Sequence, residues 1–383
     1  MSTTKVAVLG GSAWGGWIAL KLLEAGLAVQ VIEPQGAGHD QSGSGGLSRI
    51  IRATYGGDPL YMDMVDQSFK DWDAYARLWN KPLITYTGLL WLFQTDPAYV
   101  THSLAQMHEF GYALEDWTLS RAQNSYPDFR WDDIQHVFYE PKAGFIPAAD
   151  TCRLLQQQVI AAGGQWLSLS GKPGSASNDQ LQEVLLSNGE KLTADWYVFA
   201  AGAWNPLLFP DVFHEKVYLS RHEVSFFSPK QATPQLPIWL DFDAAGTLFY
   251  GIPHQEPGIK VSFDERTHTL TDANAERKTN PILVQRNQQY LNHRLPFTQQ
   301  SNLAHNRVCV YDNTPDGDFI LDIHPRYNNV LIASGSSGHG YKMGPAIGQL
   351  VTEHLSKQST LPQKFSLNRL HATTTAQTQF FPS

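Results

Sequence analysis

Apolar positions along the chain switch between two periods, and the switches mark out its elements. Val6-Ala-Val-Leu is a short buried strand, residues 17–25 carry helical apolar spacing, Gly26 stops that helix, and Leu27-Ala-Val-Gln-Val-Ile forms a second strand. An amphipathic helix is predicted over 58–79, a strand, turn and strand over 83–93, and another helix over 99–110. The run 145–150 and the helical spacing after it return the chain to a βα pattern, with Cys152 on the apolar side of that helix as a core residue. Two short strands flank Ser187-Asn-Gly as a hairpin, and 194–199 is a buried strand ending in a tight turn at Gly202. Strands follow at 218–227, 237–242, 247–253 and 258–263, and Asp272 is placed to cap a helix of roughly twenty residues ending near Leu295. A last strand at 329–334 runs through a Gly/Ser-rich loop into an apolar helix. Interleaved βαβ and antiparallel blocks predict an α/β fold (α+β overall) built as two discontinuous domains rather than two in tandem.

Composition narrows the picture. A chain of 383 residues exceeds one ordinary core. Its net charge of −8, with no basic stripe, argues against a nucleic-acid surface. Cys152 and Cys309 are too few for a disulfide framework and suit a reducing cytosol. The first strand begins at Lys5, leaving no room for a signal peptide, and no apolar run is long enough to cross a bilayer. The expectation is a soluble cytoplasmic monomer with no metal, nucleic acid or membrane among its partners.

Candidate chemistry collects at three places. Between the first strand and helix lies Gly10-Gly-Ser12-Ala-Trp-Gly15, where a dinucleotide fingerprint wants glycine at 10, 12 and 15. The middle glycine lets backbone approach a pyrophosphate, so Ser12 must find room or donate its hydroxyl. Glu33 closes the second strand, where an acid binds ribose hydroxyls and favours FAD or NAD over NADP. At the second place, Arg49 and Arg52 are three apart and share a face if their segment is helical. They are either solvated or, given apolar and aromatic neighbours, the lining of a cleft. The third runs from Cys309 through Pro315-Asp-Gly to Gly338-His-Gly340-Tyr-Lys342. Its glycine loop before a helix is either a connector or a seat for negative charge, with Lys342 as an added cation.

Val8-Leu-Gly-Gly with Glu33, Ser48-Arg-Ile-Ile-Arg52-Ala-Thr-Tyr, Ala200-Ala-Gly-Ala-Trp, Tyr250-Gly-Ile-Pro, Gly258-Ile-Lys260, Cys309-Val-Tyr311 with Thr314-Pro-Asp, and Gly338-His-Gly-Tyr-Lys342 occur in that order over nearly the whole chain. In this set the chain resembles the D-amino acid oxidase-like flavoproteins, in their monomeric sarcosine oxidase and N-methyltryptophan oxidase branch. The resemblance implies a Rossmann-like FAD-binding domain over 1–78, 145–217 and 302–383, with an inserted antiparallel-sheet substrate domain over 79–144 and 218–301. It implies FAD contacts at Gly10, Ser12, Gly15, Glu33, Ser48, Arg49, Gly202, Gly338, Gly340 and Lys342, and a thioether from Cys309 to the flavin 8α-methyl group. A buried, unreacted thiol is the other reading of Cys309. By the same resemblance Arg52 and Lys342 clamp a substrate carboxylate and Lys260 stands near flavin N5, favouring electron transfer to dioxygen. Arg49 lies by the flavin ring, and Tyr250 and Tyr311 line the substrate pocket. The implied chemistry is hydride transfer from a neutral amine to flavin N5, hydrolysis of the imine, and reduction of dioxygen to hydrogen peroxide.

Departures from the branch bear on substrate. Histidine is usual where this chain has Gly45, and again at Asp264, four residues past Lys260; Asp241 adds a second carboxylate near the expected pocket. Either both are ordinary surface carboxylates, or one faces a substrate larger or more basic than sarcosine. Three activities remain in view: an oxidase of a secondary amine or cyclic imino acid bearing a carboxylate, a dehydrogenase passing electrons to another acceptor, and a binding or assembly subunit without turnover. Lys260 favours the first, and retention of Arg52, Lys260, Cys309 and Lys342 together speaks against the last.

Overall fold

Strand β1 (Lys5–Leu9), helix α1 (Ala13–Glu24) and strand β2 (Ala28–Ile32) form the opening βαβ unit that the periodicity requires. Next come β3 (Ser48–Ile51), α2 (Pro59–Leu78), β4 (Leu89–Phe93), β5 (His136–Glu140), β6 (Gly144–Pro147), α3 (Ala148–Ala161), β7 (Gln165–Leu167) and β8 (Trp196–Phe199). The second half holds β9 (Tyr218–Ser228), β10 (Ile238–Phe242), β11 (Leu248–Ile252), β12 (Ile259–Asp264) and α4 (Pro281–Arg294). It ends with β13 (Asn302–Asn313), β14 (Ile320–His324), β15 (Tyr327–Ser334) and α5 (Gly344–Lys357). This structure, a computed structural model, describes residues 3–214 and 216–371; the end of the expected cofactor-domain span, 372–383, lies outside the described residues.

Two sheets organise these elements. The first has the order β14-β15-β8-β1-β2-β7 and is parallel except for the β14–β15 pair. Apolar groups cover both of its faces: Val6 and Val8 pack with α1, α3 and α5, while Ala7 and Leu9 join a second cluster with Phe199 and Ile332. Burial on both sides is why these strands read as continuous apolar runs. Cys152 is fully buried in the first cluster, as its place on α3 predicts.

The second sheet is larger and mostly antiparallel. It runs Thr269–Leu270, β9, β12, β11, β10, β4, β5 and Glu115–Trp117, with β13 beside β9. The first sheet takes its strands from 5–32, 165–199 and 320–334, and the second takes its strands from 89–140 and 218–313. β13 pairs with β9 from Tyr218 opposite Asn313 to Ser228 opposite Asn302, so the second sheet includes 302–313. Along β12 the period of two turns Lys260, Ser262 and Asp264 to one face, opposite Ile252, Tyr250 and Leu248 of β11.

Two local expectations fail for physical reasons. Asp272 caps no helix; its carboxylate accepts the Asn274 amide at 2.6 Å, and α4 begins at Pro281 with Asn280 accepting the Ile282 amide at 3.0 Å. The intervening residues are polar, and Pro281 brings the preset φ of a first helical residue. Arg49 and Arg52 share no helical face, because Ser48–Ile51 is a strand antiparallel to β6 and Arg52 lies beyond its end. The β-branched pair Ile50-Ile51 suits that pleated setting.

Candidate functional site

A cavity of about 280 Å³ lies where β1, β8 and β15 end, at the carboxyl edge of the parallel sheet. Gly10, Ser12, Glu33, Gly202, Gly338 and Gly340 all line it. Gly15 does not; it stands within α1, where a Cβ would come 1.7 Å from the Gly10 carbonyl oxygen. Ser12 has room, with φ of −85° and its hydroxyl accepting the Gly38 amide at 3.3 Å. Ser12 does not cap α1 with its own side chain, the Ala13 amide donates to the Ser44 hydroxyl at 3.3 Å, and Ala13 and Trp14 form cavity wall, so the positive end of the helix is turned to the cavity. Glu33 is buried and accepts the amides of Gly11 at 2.9 Å and Gln35 at 3.3 Å; burial pushes its carboxyl pKa up against those two bonds. An acid for hydroxyls beside a helix end for phosphates fits a dinucleotide.

A smaller cavity of about 90 Å³ shares Arg49, Tyr311, Gly338 and Tyr341 with the first, so the two adjoin. Its roof is the face of the large sheet that carries Lys260, Tyr250 and Cys309, with Val224, Leu240, Leu248 and Ile252 as an apolar lining. Arg52 and Lys342 bring two buried cations to the same space. Arg52 donates to the Thr54 carbonyl and, at 3.2 Å, to the Tyr99 hydroxyl. Its guanidinium lies 4.7, 5.3 and 5.7 Å from the ring centres of Tyr55, Trp91 and Tyr99. Lys342 donates to the His339 carbonyl at 3.0 Å and lies 5.2 Å from the Tyr55 ring centre. Burial, reinforced by Arg52, holds Lys342 well below the usual ammonium range. His339 is pulled down by burial and then by Lys342, and stays neutral, with Nδ1 3.3 Å from the Tyr55 hydroxyl.

Lys260 ties the roof to β3 through the Ser48 carbonyl at 2.7 Å and hydroxyl at 3.5 Å. Ser48 therefore acts through Lys260 and lines neither cavity. Burial, then Arg49, lowers the Lys260 pKa well below its ordinary value. Cys309 is 3% exposed, with Arg49 Nη2 at 3.5 Å from its sulfur. The same nitrogen donates to the carbonyls of Gly43 at 2.7 Å and Gly45 at 2.8 Å. Burial raises the pKa of Tyr250 and Tyr311, keeping both phenols neutral.

The departures resolve differently from one another. Asp264 lines the smaller cavity and is paired with Arg266 at 3.3 Å; burial opposes its ionisation, but Arg266 and His222 hold its pKa below the ordinary range. Asp241 is not at the site. It lies on the reverse face of the sheet, bonded to Tyr290 at 2.7 Å and Arg294 at 2.8 Å, and is neither a surface carboxylate nor a substrate contact. A Cβ at Gly45 would meet the His39 carbonyl oxygen at 2.4 Å, so this loop admits no side chain there.

Tyr55, His339 and the apolar lining join the site without having been singled out in the sequence. The first two stand inside the motifs quoted above, where a neighbouring cation was the signal that could have found them. Glu140, fully buried behind Arg52, stands in a stretch where the apolar pattern predicted no element.

The chain is similar to known flavoproteins over nearly its whole length. The profile of the family described as FAD dependent oxidoreductase (DAO) matches residues 5–354. The monomeric sarcosine oxidase of Streptomyces avermitilis is 26% identical over 370 residues, 92% of this chain and 93% of that protein. The N-methyl-L-tryptophan oxidase of Salmonella newport is 24% identical over 356 residues, covering 90% and 93%. Among solved structures, L-proline dehydrogenase from P. horikoshii superposes with a TM-score of 0.83 at 19% identity, over 96% of this chain and 98% of that one, a likeness of fold.

Proposed function

Since the chain belongs to the FAD dependent oxidoreductase (DAO) family, we propose that it is an oxidase of a carboxylate-bearing secondary amine or cyclic imino acid of the N-alkyl amino acid type. Gly10, Ser12, Glu33, Gly202, Gly338 and Gly340 would hold FAD in the larger cavity, where it would supply a two-electron acceptor for the hydride on the carbon beside nitrogen, with dioxygen as the final acceptor and hydrogen peroxide as product. The observation that carries the substrate class is the meeting of Arg52 and Lys342 in a buried cavity with an apolar lining. A planar fork and a point charge suit one carboxylate, and an anion buried without such partners would cost several kcal/mol. Val224, Leu240, Leu248 and Ile252 offer alkyl or ring carbons a dry surface. The wall that the two cavities share at Arg49 and Tyr311 would bring that substrate beside the cofactor cavity. In this reading Cys309 carries the thioether to the flavin, with Arg49 against its sulfur, and Lys260 favours electron transfer to dioxygen.

Acid-precipitated protein should stay yellow and exceed the 42.8 kDa polypeptide by the mass of one FAD, while Cys309→Ser should lose its colour on precipitation. Anaerobic bleaching by N-alkyl or cyclic amino acids, but not by the same amines lacking the carboxylate, tests the substrate class. Bleaching by the decarboxylated amines alone would remove it. Slow reoxidation in air with rapid turnover on a quinone would shift the reading to a dehydrogenase.

A further inference from the structure

We propose that Glu140 is a positioning residue for the anion site: it holds the Arg52 segment from behind and supplies the counter-charge that Arg52 and Lys342 share. The proposal rests on the reading of those two cations as a carboxylate seat. Glu140 closes β5 and is fully buried. Its carboxylate accepts the Thr54 hydroxyl at 2.6 Å, the Ala53 amide, and Trp91 Nε1 at 3.3 Å. All three donors lead to Arg52. Ala53 is its chain neighbour, the Thr54 carbonyl accepts its guanidinium, and the Trp91 ring lies 5.3 Å from the guanidinium carbon. Two of the groups that aim Arg52 are thus themselves fixed by Glu140, and a buried carboxylate with several donors is a rigid anchor.

Charge gives Glu140 its second role. Around the Lys342 ammonium stand Arg52 and Tyr55 from the segment after β3 and His339 from the glycine loop, while Trp72 of α2 binds only the Lys342 carbonyl, at 2.8 Å. Tyr55 and His339 are neutral, because burial raises the phenol and lowers the imidazole. Burial and Arg52 both drive the proton off Lys342, and Glu140 is the acid that acts the other way; burial raises its own carboxyl pKa, while the bonds from Thr54, Ala53 and Trp91 and the charge of Arg52 favour its ionised form. Without its charge, Lys342 gives up its proton at lower pH, and the seat keeps one cation where a carboxylate needs two.

Calorimetric titration of the flavin-loaded enzyme with acetate, between about pH 6 and pH 10, tests this. In Glu140→Gln, which keeps the shape and loses the charge, acetate binding should fall off at least about one pH unit lower than in the wild type, roughly a tenfold loss at the upper end. With substrate, the loss should fall on KM more than on kcat. Glu140→Asp should restore the pH profile while KM stays raised, since charge returns but reach does not. An unmoved profile in Glu140→Gln, with Arg52→Met abolishing binding, overturns the role of Glu140 and leaves the anion seat standing. Failure of acetate to bind the wild type at any pH overturns the seat itself. Should Glu140→Gln not accumulate folded, Thr54→Val cuts one link and spares the charge. Weaker acetate binding with an unmoved profile then supports the proposal, and unchanged binding overturns it.

Discussion

Lys260 places its side-chain nitrogen on the roof of the smaller cavity while bonded to the backbone of another sheet, at Ser48. Such a group is fixed in place before any ligand arrives, the condition under which a positive charge contributes most to a reaction that develops negative charge. Replacing it by Met keeps the stem and removes the ammonium. The expected result in stopped-flow measurements is reoxidation by dioxygen slowed by roughly 100-fold, with reduction by substrate changed far less. Equal slowing of both half-reactions would show Lys260 to be a structural tie alone. The neighbouring acids show what one residue's sequence context conceals. Asp241 and Asp264 each sit in an apolar strand, but Leu240, not Asp241, pairs with Tyr250 of the cavity face. One step in register decides between substrate cavity and the packing of α4, and composition carries no trace of it.

Elements were legible where local chemistry alone sets them. The opening βαβ unit follows from its periods and from Gly26, and α2 from Asp58, whose side chain accepts the Tyr61 amide at 3.1 Å ahead of Pro59 at the first helical position. Pairing was less legible: the strand 302–313 went unmarked because its first half is largely polar, and nothing along it names β9 as its partner. The glycine turn before α1 shows the same limit in an imperfect motif. At Gly15 the geometry is absolute, since a methyl group would overlap the Gly10 carbonyl. Gly15→Ala should therefore yield protein of lowered melting temperature that purifies with little flavin. Ser12→Gly should do the opposite of what completing a fingerprint suggests. It removes the hydroxyl that holds Gly38 and adds backbone freedom, costing about 1 kcal/mol in denaturant titration with no gain in flavin content. A stabilised Ser12→Gly protein would mean that the loop to Gly38 needs no such tie.

The molecule as a whole is a parallel sheet that presents its carboxyl edge to one face of a larger sheet, and the other face of that larger sheet must be closed. The structure closes part of it with α4, through the fully buried Arg294, which binds Asp241 at 2.8 Å and Asp133 at 2.9 Å; Tyr290 of the same helix adds a bond to Asp241 at 2.7 Å. Separating this network from the cavity by a full sheet thickness makes stability and chemistry independently adjustable. Arg294→Met leaves the Asp241 carboxylate buried without its cation, which should cost ~3–5 kcal/mol in urea denaturation, while the double change Asp241→Leu with Arg294→Met should recover most of that loss. Neither variant, assayed as folded protein at a temperature below its melting, should alter flavin content or KM, because Leu240 and Tyr250 keep the cavity face intact. A raised KM in the double variant at restored stability would place the network in contact with substrate after all, and would mean that the two faces of the sheet are coupled through β10.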